Sequence, residues 1–341
     1  MFTMMKAIQF QPGLPIDNPN VARDIDLPRP EPIGRDILVE VEAIGLNPVD
    51  AKVRPGPEAE PKVLGYDASG TVIAVGDQTQ ILKIGDKVYY AGDITRPGTN
   101  AQFHLVDERI AAIRPCSLSA AASAALPLTS LTAWESLFHR LRIDPDGAHK
   151  GRSILIIGGA GGVGSIGIQL AKLAGLTVIA TASREASEQW CRDLGADFVV
   201  NHRQDLAPQL QALGFETVDY IANYNNTDAY WKTMGQIIAP QGHIVLIVEQ
   251  VGTLDIGGPF KSKSVSISWE LMFTRSLFQT ADMTQQHEIL KQVAALIDSG
   301  KLKTTVNGTL GLITAKNVVK AHTQIESGKS IGKLVLEGWP K

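Results

Sequence analysis

The run Ile156-Ile157-Gly158-Gly159-Ala160-Gly161-Gly162-Val163-Gly164 constrains this chain more than any other stretch of it. An apolar, β-branched segment at 153–157 leads into the glycines, and a helical segment at 163–174 leaves them. Glycine permits the tight turn, and the missing Cβ lets a phosphate approach the backbone. The spacing Gly159-x-Gly161-x-x-Gly164 fits a dinucleotide fingerprint, and Gly158-x-x-Gly161-x-x-Gly164 fits a variant of it. Phosphates would rest there on N–H groups at a helix N-terminus. Gly158, Gly159, Gly161, Gly162, Val163 and Gly164 are therefore the first cofactor candidates. The bland alternative is a glycine turn with a structural role only.

The surroundings of the run have the same character. Strands are predicted at 153–157, 177–181, 198–200, 217–222 and 243–248, with helices at 163–174, 186–194 and 205–213. Such alternation means a parallel sheet covered on both faces, so 126–270 reads as one doubly wound α/β domain. Residues 1–125 differ: strands at 5–10, 36–44, 69–75 and 87–90 are joined by Pro- and Gly-rich loops. Helices at 119–125 and 130–141 lead from this β-rich domain into the next. The tail, 271–341, holds helices at 283–299 and 315–327 and a strand at 333–336, and is expected to pack back on the first domain.

Composition narrows the function. Lys plus Arg is 32 and Asp plus Glu is 35, a formal net charge of −3, which gives no bias toward nucleic acid or anionic membrane. Two cysteines, Cys116 and Cys191, offer neither a Cys-x-x-Cys zinc lobe nor a disulfide scaffold. No leader and no apolar run of membrane-spanning length is visible, so a cytoplasmic location is expected.

The second strand of the dinucleotide domain decides which cofactor to expect. An NAD site usually ends that strand with Asp or Glu, to hold the ribose diol. Here the stretch is Thr181-Ala182-Ser183-Arg184. Small neutral residues followed by a guanidinium suit a 2′-phosphate, so NADPH is expected, with Ser183 and Arg184 as its readers. Glu185 should open the next helix and point away. His202-Arg203, after the third strand, can close the same pocket or simply be surface residues. Asn223 and Val248, where the next two strands end, and Thr129, near the start of the domain, complete the cofactor candidates. Thr129, Ser130 and Thr132 serve equally well as helix caps.

Taken together, these residues resemble the medium-chain dehydrogenase/reductases, and more closely their quinone oxidoreductase branch. The resemblance rests on the glycine run and on Gly45-Leu46-Asn47-Pro48-Val49-Asp50, Gly65-Tyr66-Asp67-Ala68-Ser69-Gly70, Gly85-Asp86-Lys87-Val88 and Leu126-Pro127-Leu128-Thr129-Ser130-Leu131-Thr132-Ala133. Trp269-Glu270-Leu271-Met272-Phe273-Thr274-Arg275-Ser276 is similar to the subgroup labelled zinc-type alcohol dehydrogenase-like. The resemblance implies a Rossmann domain plus a GroES-like β-rich catalytic domain, with the active site in the cleft between them. In the zinc members a Cys, a His and a second Cys bind the metal. Asn47, Tyr66 and Leu128 or Thr129 stand at those places here, Asp67 replaces a Glu, and Val49 replaces a relay hydroxyl. Only Asp67 is a zinc-type ligand, so no metal is expected.

Without a Lewis acid, a quinone or an α,β-unsaturated carbonyl is the easier hydride acceptor, because the developing charge spreads into a quinol anion or enolate. The catalytic candidates are the Tyr66 hydroxyl, the Asn47 amide and Asp50, with the cofactor's own ribose hydroxyl as a further donor. Each has a structural alternative: Asn47 braces a loop, Tyr66 fills a core, and Asp50 makes structural hydrogen bonds. Trp269 and Phe273 read equally as core or as substrate wall. Two other functions keep the fold: an alcohol dehydrogenase with an atypical metal, and a silent NADPH-binding regulatory protein. The alternating segment 264–269 looks like an exposed sheet edge, and in this family such edges join across a two-fold axis, so a homodimer is expected.

Overall fold

The computed structural model describes residues 3–340; the end residues 1, 2 and 341 of the expected first and last spans lie outside it. The chain divides into two compact units. One runs to Leu131 and resumes at Phe273; the other is Thr132–Met272.

In the second unit a six-stranded sheet is built from Phe198–Asn201, Thr177–Ala182, Ser153–Ile157, Val218–Asn223, Ile238–Leu246 and Ser266–Trp269, in that spatial order. Every neighbouring pair is parallel. In chain order this is 3-2-1-4-5-6, the doubly wound Rossmann arrangement, which reverses direction between Ser153–Ile157 and Val218–Asn223. The strands are apolar on both faces because helices cover both. Leu155, Ile157, Ile179, Ile221 and Ile244 pack with Trp231, Met234 and Phe260.

The first unit is the GroES-like part. Asp36–Gly45 is its central strand, paired antiparallel with Ala68–Val75, Phe103–Asp107 and the C-terminal strand Lys333–Glu337. Ile8, Val39, Leu64 and Val88 share one core with Met283, Val318 and Leu336. The tail thus belongs to this unit's core.

Several elements differ from expectation for identifiable reasons. The helix expected at 130–141 begins at Pro127, a residue pre-set for a first helical turn, runs to Trp134, and continues as a π-helical turn, Glu135–Arg140. The strand expected at 243–248 is Ile238–Leu246, so Val248 lies in the loop beyond it. A helix at Thr227–Ile237 went unread; its buried Thr227, Trp231, Met234 and Ile237 recur at helical spacing. Ala22–Pro28 was also unread, because its residues are mostly solvent-exposed and Asp24, Asp26 and Pro28 are poor strand formers. The edge segment expected at 264–269 is shortened to Ser266–Trp269, since Ser264 sits at φ +52 in the left-handed region.

Candidate active site

The glycine turn in the second unit is shaped as a phosphate cradle. Gly158 has φ +85, a conformation that strains a side chain, and its N–H donates to Thr181 Oγ1 at 3.0 Å. Gly159 N–H donates to Thr181 O at 3.2 Å, which ties the turn to the second strand. A Cβ on Gly164 would lie 2.2 Å from Gly158 O, so the helix Gly162–Leu173 meets the turn more closely than any side chain allows. The first N–H groups of this helix, at Gly162, Val163 and Gly164, have no carbonyl one turn back within the helix.

The flanking strand ends carry the other cofactor candidates. Ser183 is half-buried between the second strand and the helix Glu185–Asp193. Arg184 caps that helix: its N–H donates to Ser187 Oγ at 3.1 Å, and the residue is exposed. Ala182 is paired with Asn201, so His202 follows directly on the neighbouring strand. Burial holds the His202 imidazole below its usual pKa, and the charges of Arg203 and Arg184 lower it further. Two guanidinium groups thus act on this imidazole. Asn223 is paired with Ile157 where the sheet reverses direction, and it is fully buried. Its Oδ1 accepts from Asn225 N–H at 3.0 Å, while its Nδ2 has no partner among the described residues. A buried amide N–H left open at a parallel sheet's carboxyl edge fits a polar ligand group there. Val248 presents its carbonyl to the Thr227 hydroxyl.

The first unit gathers Asn47, Asp50, Tyr66 and Asp67, all buried, around one lysine. Lys333 opens the last strand and is 3% exposed. Its Nζ donates to Leu46 O at 2.7 Å, Asn47 Oδ1 at 2.5 Å and Asp67 Oδ2 at 2.9 Å. Asp67 Oδ2 also accepts from Asn47 Nδ2 at 2.8 Å, and Asp67 Oδ1 from Leu128 N–H at 2.7 Å. Burial raises the Asp67 carboxyl, opposed by Lys333, Asn47 and Leu128. Asn47 N–H donates to Asp50 Oδ2 at 2.7 Å, at the start of the short helix Pro48–Lys52. Asn47 was expected as a donor to substrate; its amide group is instead engaged on both sides, by Lys333 and Asp67. Thr129 likewise turns its hydroxyl inward, onto Leu126 O at 3.1 Å and Ala125 O at 3.4 Å.

Two groups in this cluster stay open. Asp50 Oδ1 and the Tyr66 hydroxyl are buried and have no hydrogen-bond partner among the described residues. Burial pushes the Asp50 carboxyl up to about 7, against the Asn47 N–H and the Lys333 charge. Burial, with the negative charge of Asp50 and then of Asp93, pushes the Tyr66 phenol up to about 12. The Tyr66 ring meets Phe273 edge-on, with centroids 5.4 Å apart. A neutral phenol with an uncommitted O–H is a hydrogen-bond donor waiting for an acceptor. The sequence singled out Tyr66 and Asp50 but not Lys333, which appeared only as the first residue of a strand.

Comparison with known proteins adds the family. The model for the alcohol dehydrogenase GroES-like domain matches residues 34–113, and that for zinc-binding dehydrogenase matches 194–336. A zinc-type alcohol dehydrogenase-like protein of Staphylococcus aureus is 42% identical over 334 residues, 97% of this chain and 99% of that one. The 2-methylene-furan-3-one reductase of Solanum lycopersicum is 31% identical over 324 residues, covering 89% of this chain and 72% of its own. The crystal structure of Escherichia coli quinone oxidoreductase complexed with NADPH superposes with a TM-score of 0.81 at 26% identity, over 97% of this chain and 99% of that one.

Proposed function

The chain belongs to the medium-chain, zinc-type alcohol dehydrogenase-like family of NAD(P)-dependent oxidoreductases, and within it we propose an NADPH-dependent reductase of quinones or α,β-unsaturated carbonyls that uses no zinc. The observation that carries this reading is the Lys333 ammonium. It donates to Leu46 O, Asn47 Oδ1 and Asp67 Oδ2, so Asn47, at the first ligand place of the zinc members, and Asp67 are already held by a cation. Zinc favours thiolate and imidazole, whereas this set is carbonyl, amide and carboxylate oxygen already joined to a cation. The residues do not fit zinc. The same ammonium counts against an alcohol dehydrogenase with an atypical metal at this place.

The residues fit NADPH better than they fit a metal. The Gly162, Val163 and Gly164 N–H groups would hold the pyrophosphate, and the open Asn223 Nδ2 would take a polar group of the nicotinamide half. Arg184, with His202 and Ser183, would read the 2′-phosphate. The bound cofactor supplies the hydride. Tyr66 then donates its uncommitted O–H to the acceptor oxygen as negative charge develops there, which is the stabilisation a quinone or enone needs in place of a Lewis acid. Asp50, its carboxyl pushed up to about 7 by burial, can take up and release a proton near neutral pH. The named activities of the tomato and Escherichia coli proteins, on an enone and on quinones, support the acceptor class.

This reading includes a cytoplasmic homodimer. Among the described residues no helix is long and apolar enough to cross a membrane, and Cys116 and Cys191 are both unpaired. The test is NADPH oxidation against a panel of quinones, enones and simple aldehydes, before and after dialysis with a chelator. Turnover of a quinone or enone that survives chelation is expected. Reduction of aldehydes alone, abolished by chelation and restored by zinc, would reject the proposal.

A further inference from the structure

We propose that the α/β unit carries a further anion site, at the amino-terminal edge of its sheet, which takes a phosphate dianion, free or borne on a small molecule. The site stands apart from the function argued above. The glycine turn follows Ile157, whereas this site flanks Ser153, at the other end of the same strand. Its centre is Tyr220, 2% exposed and paired in the ladders with Ile154 and His243. Arg152 Nη1 donates to the Tyr220 hydroxyl at 3.1 Å. The His243 ring stacks on the Tyr220 ring with centroids 5.9 Å apart, and the His149 ring lies 6.1 Å from it, tilted by 50°. Burial, then Arg142, Arg152 and His149, hold the His243 imidazole below its usual pKa. The charges acting on that imidazole are thus all positive.

Among the described residues neither Arg142 nor Arg152 forms an ion pair with a carboxylate. Asp144 and Asp219 each turn an oxygen to the main chain instead. Asp144 Oδ1 accepts from Asp146 N–H at 2.7 Å, and Asp219 Oδ2 accepts from Ser153 N–H at 2.8 Å. Asp219 precedes Tyr220 on its strand and so faces the other side of the sheet. Asp146 and Lys150, in the same loop, are exposed. The donors of the cluster are defined. His149 Nδ1 accepts from Asp144 N–H at 3.1 Å, which puts the ring's own proton on Nε2. The Tyr220 oxygen accepts from Arg152 and keeps its O–H to give. Arg142 and Arg152 are exposed, so the cluster is open to solvent. Two guanidinium groups, an imidazole N–H, a phenol O–H and a second imidazole that gains a proton as negative charge arrives suit a dianion with several oxygens. A carboxylate, with one charge and two oxygens, would leave most of these donors unused.

The test follows the His243 imidazole by proton NMR, its resonance assigned by loss in His243→Gln. In sodium phosphate, compared with sodium chloride of equal ionic strength, its measured pKa should rise by about 1 or more, because a nearby anion favours the charged ring. The effect should saturate at millimolar phosphate or below. His202, at the opposite edge of the sheet, reports phosphate bound near Arg184 separately, so the two places are read apart. Arg152→Gln should weaken binding roughly ten- to a hundredfold, the loss of a hydrogen bond to a charged group. That variant also loses its bond to Tyr220, so a second variant separates binding from folding. Arg142 sits at φ +55, a conformation that glycine adopts with less strain. Arg142→Gly should therefore keep or raise Tm while weakening phosphate. A His243 pKa that phosphate leaves unmoved, or that chloride moves as far, would overturn the proposal. So would undiminished binding by Arg142→Gly. Glycerol phosphate in place of inorganic phosphate identifies the source: tighter binding of the ester assigns the site to a phosphorylated small molecule, and equal or weaker binding assigns it to the free ion. A short single-stranded oligonucleotide that shifts His243 where neither of these does would overturn the dianion.

Discussion

Lys333 and Asp67 form a buried ion pair, 2.9 Å from Nζ to Oδ2, with side chains 3% and 0% exposed. Removing one member of such a pair typically costs about 3–5 kcal/mol, because the other charge is left without a partner. Neither charge is stranded here: the ammonium has three acceptors, and the carboxylate has three donors. The pair therefore gives the cluster one fixed arrangement, against which the two uncommitted groups, Asp50 Oδ1 and the Tyr66 hydroxyl, stand out.

Tyr66→Phe should leave folding nearly unchanged, since the ring and its edge contact with Phe273 remain and the lost hydroxyl had no partner among the described residues. Its cost should appear in catalysis. Loss of one oxyanion donor is worth about 2.7–4 kcal/mol, roughly a hundredfold to a thousandfold in kcat. Enone reduction should suffer more than quinone reduction, because a quinone delocalises the charge better. Steady-state kinetics on one substrate of each class checks this, and equal turnover by the Phe variant on both would remove Tyr66 from the mechanism.

Arg184→Ala should weaken NADPH roughly tenfold to a hundredfold, the worth of a hydrogen bond to a charged group, and leave NADH nearly unchanged. His202 adds a pH dependence with a definite sign. Its imidazole is held low by burial and by Arg203 and Arg184, so a bound phosphate favours its protonated form. NADPH affinity should rise as pH falls below the usual histidine range, while NADH affinity stays flat. Fluorescence titration of both cofactors at several pH values checks both statements, and parallel losses for the two would show that Arg184 does not read the phosphate.

His322 should make the fold acid-sensitive. It is fully buried, stacked on Phe10 with centroids 4.9 Å apart, and neither ring nitrogen has a partner among the described residues. Burial pushes it down to about 4, with Arg54 lowering and Glu326 raising it. Because the folded value lies below the unfolded one near 6.5, the unfolded chain binds the extra proton between these pH values. Stability is then lost as pH falls from about 6.5 toward 4. Asp50 runs the other way, its folded value being raised, so only a difference isolates the histidine. Relative to the parent, His322→Phe should gain up to about 3 kcal/mol across that window. Urea unfolding at pH 7 and pH 4.5 measures it, and a difference independent of pH would rule out the histidine.

Among the described residues Ser266–Trp269 is an edge strand, paired on one side by Ile238–Leu246. Trp269 is 48% exposed and the nearby Leu271 49% exposed. An edge with bare apolar residues is ordinarily covered, and a second copy pairing edge to edge would cover it. Light scattering at micromolar concentration should give twice the chain mass, and Ile267→Pro should reduce it to one. A monomeric parent would reject the dimer.

Legibility in the sequence followed the range of the interactions involved. The glycine turn could be read because its demand is local: Gly158 and Gly164 answer to atoms within a few residues of themselves. The parallel strands could be read because burial on both faces writes continuous apolar runs such as 153–157. Tyr66 and Asp50 were found through the motifs around them. Lys333 was not, because nothing near it explains a buried cation; its carboxylate lies 266 residues away. Asn47 was read as a donor to substrate because its partners, Lys333 and Asp67, are set by tertiary structure. Val248 was placed in a strand because Ile247-Val248 prolong an apolar run past the last ladder pair, Leu246 with Trp269.

The insertion of one unit inside the other has a consequence for the order of events during synthesis. Thr132–Met272 is a continuous segment, so its sheet can close as soon as that segment has emerged. The first unit cannot: its central strand, Asp36–Gly45, waits for Lys333–Glu337, and its core waits for Met283, Val318 and Leu336. Until the last strand arrives, Asp67 has no ammonium, and one side of Asp36–Gly45 lacks its C-terminal partner. Closing contacts of such long sequence separation is slow, and exposed strand edges are where chains associate wrongly. The nascent chain thus holds a finished α/β unit between two halves of an unfinished β unit, and the residue that completes the polar cluster is made only after the whole of that α/β unit.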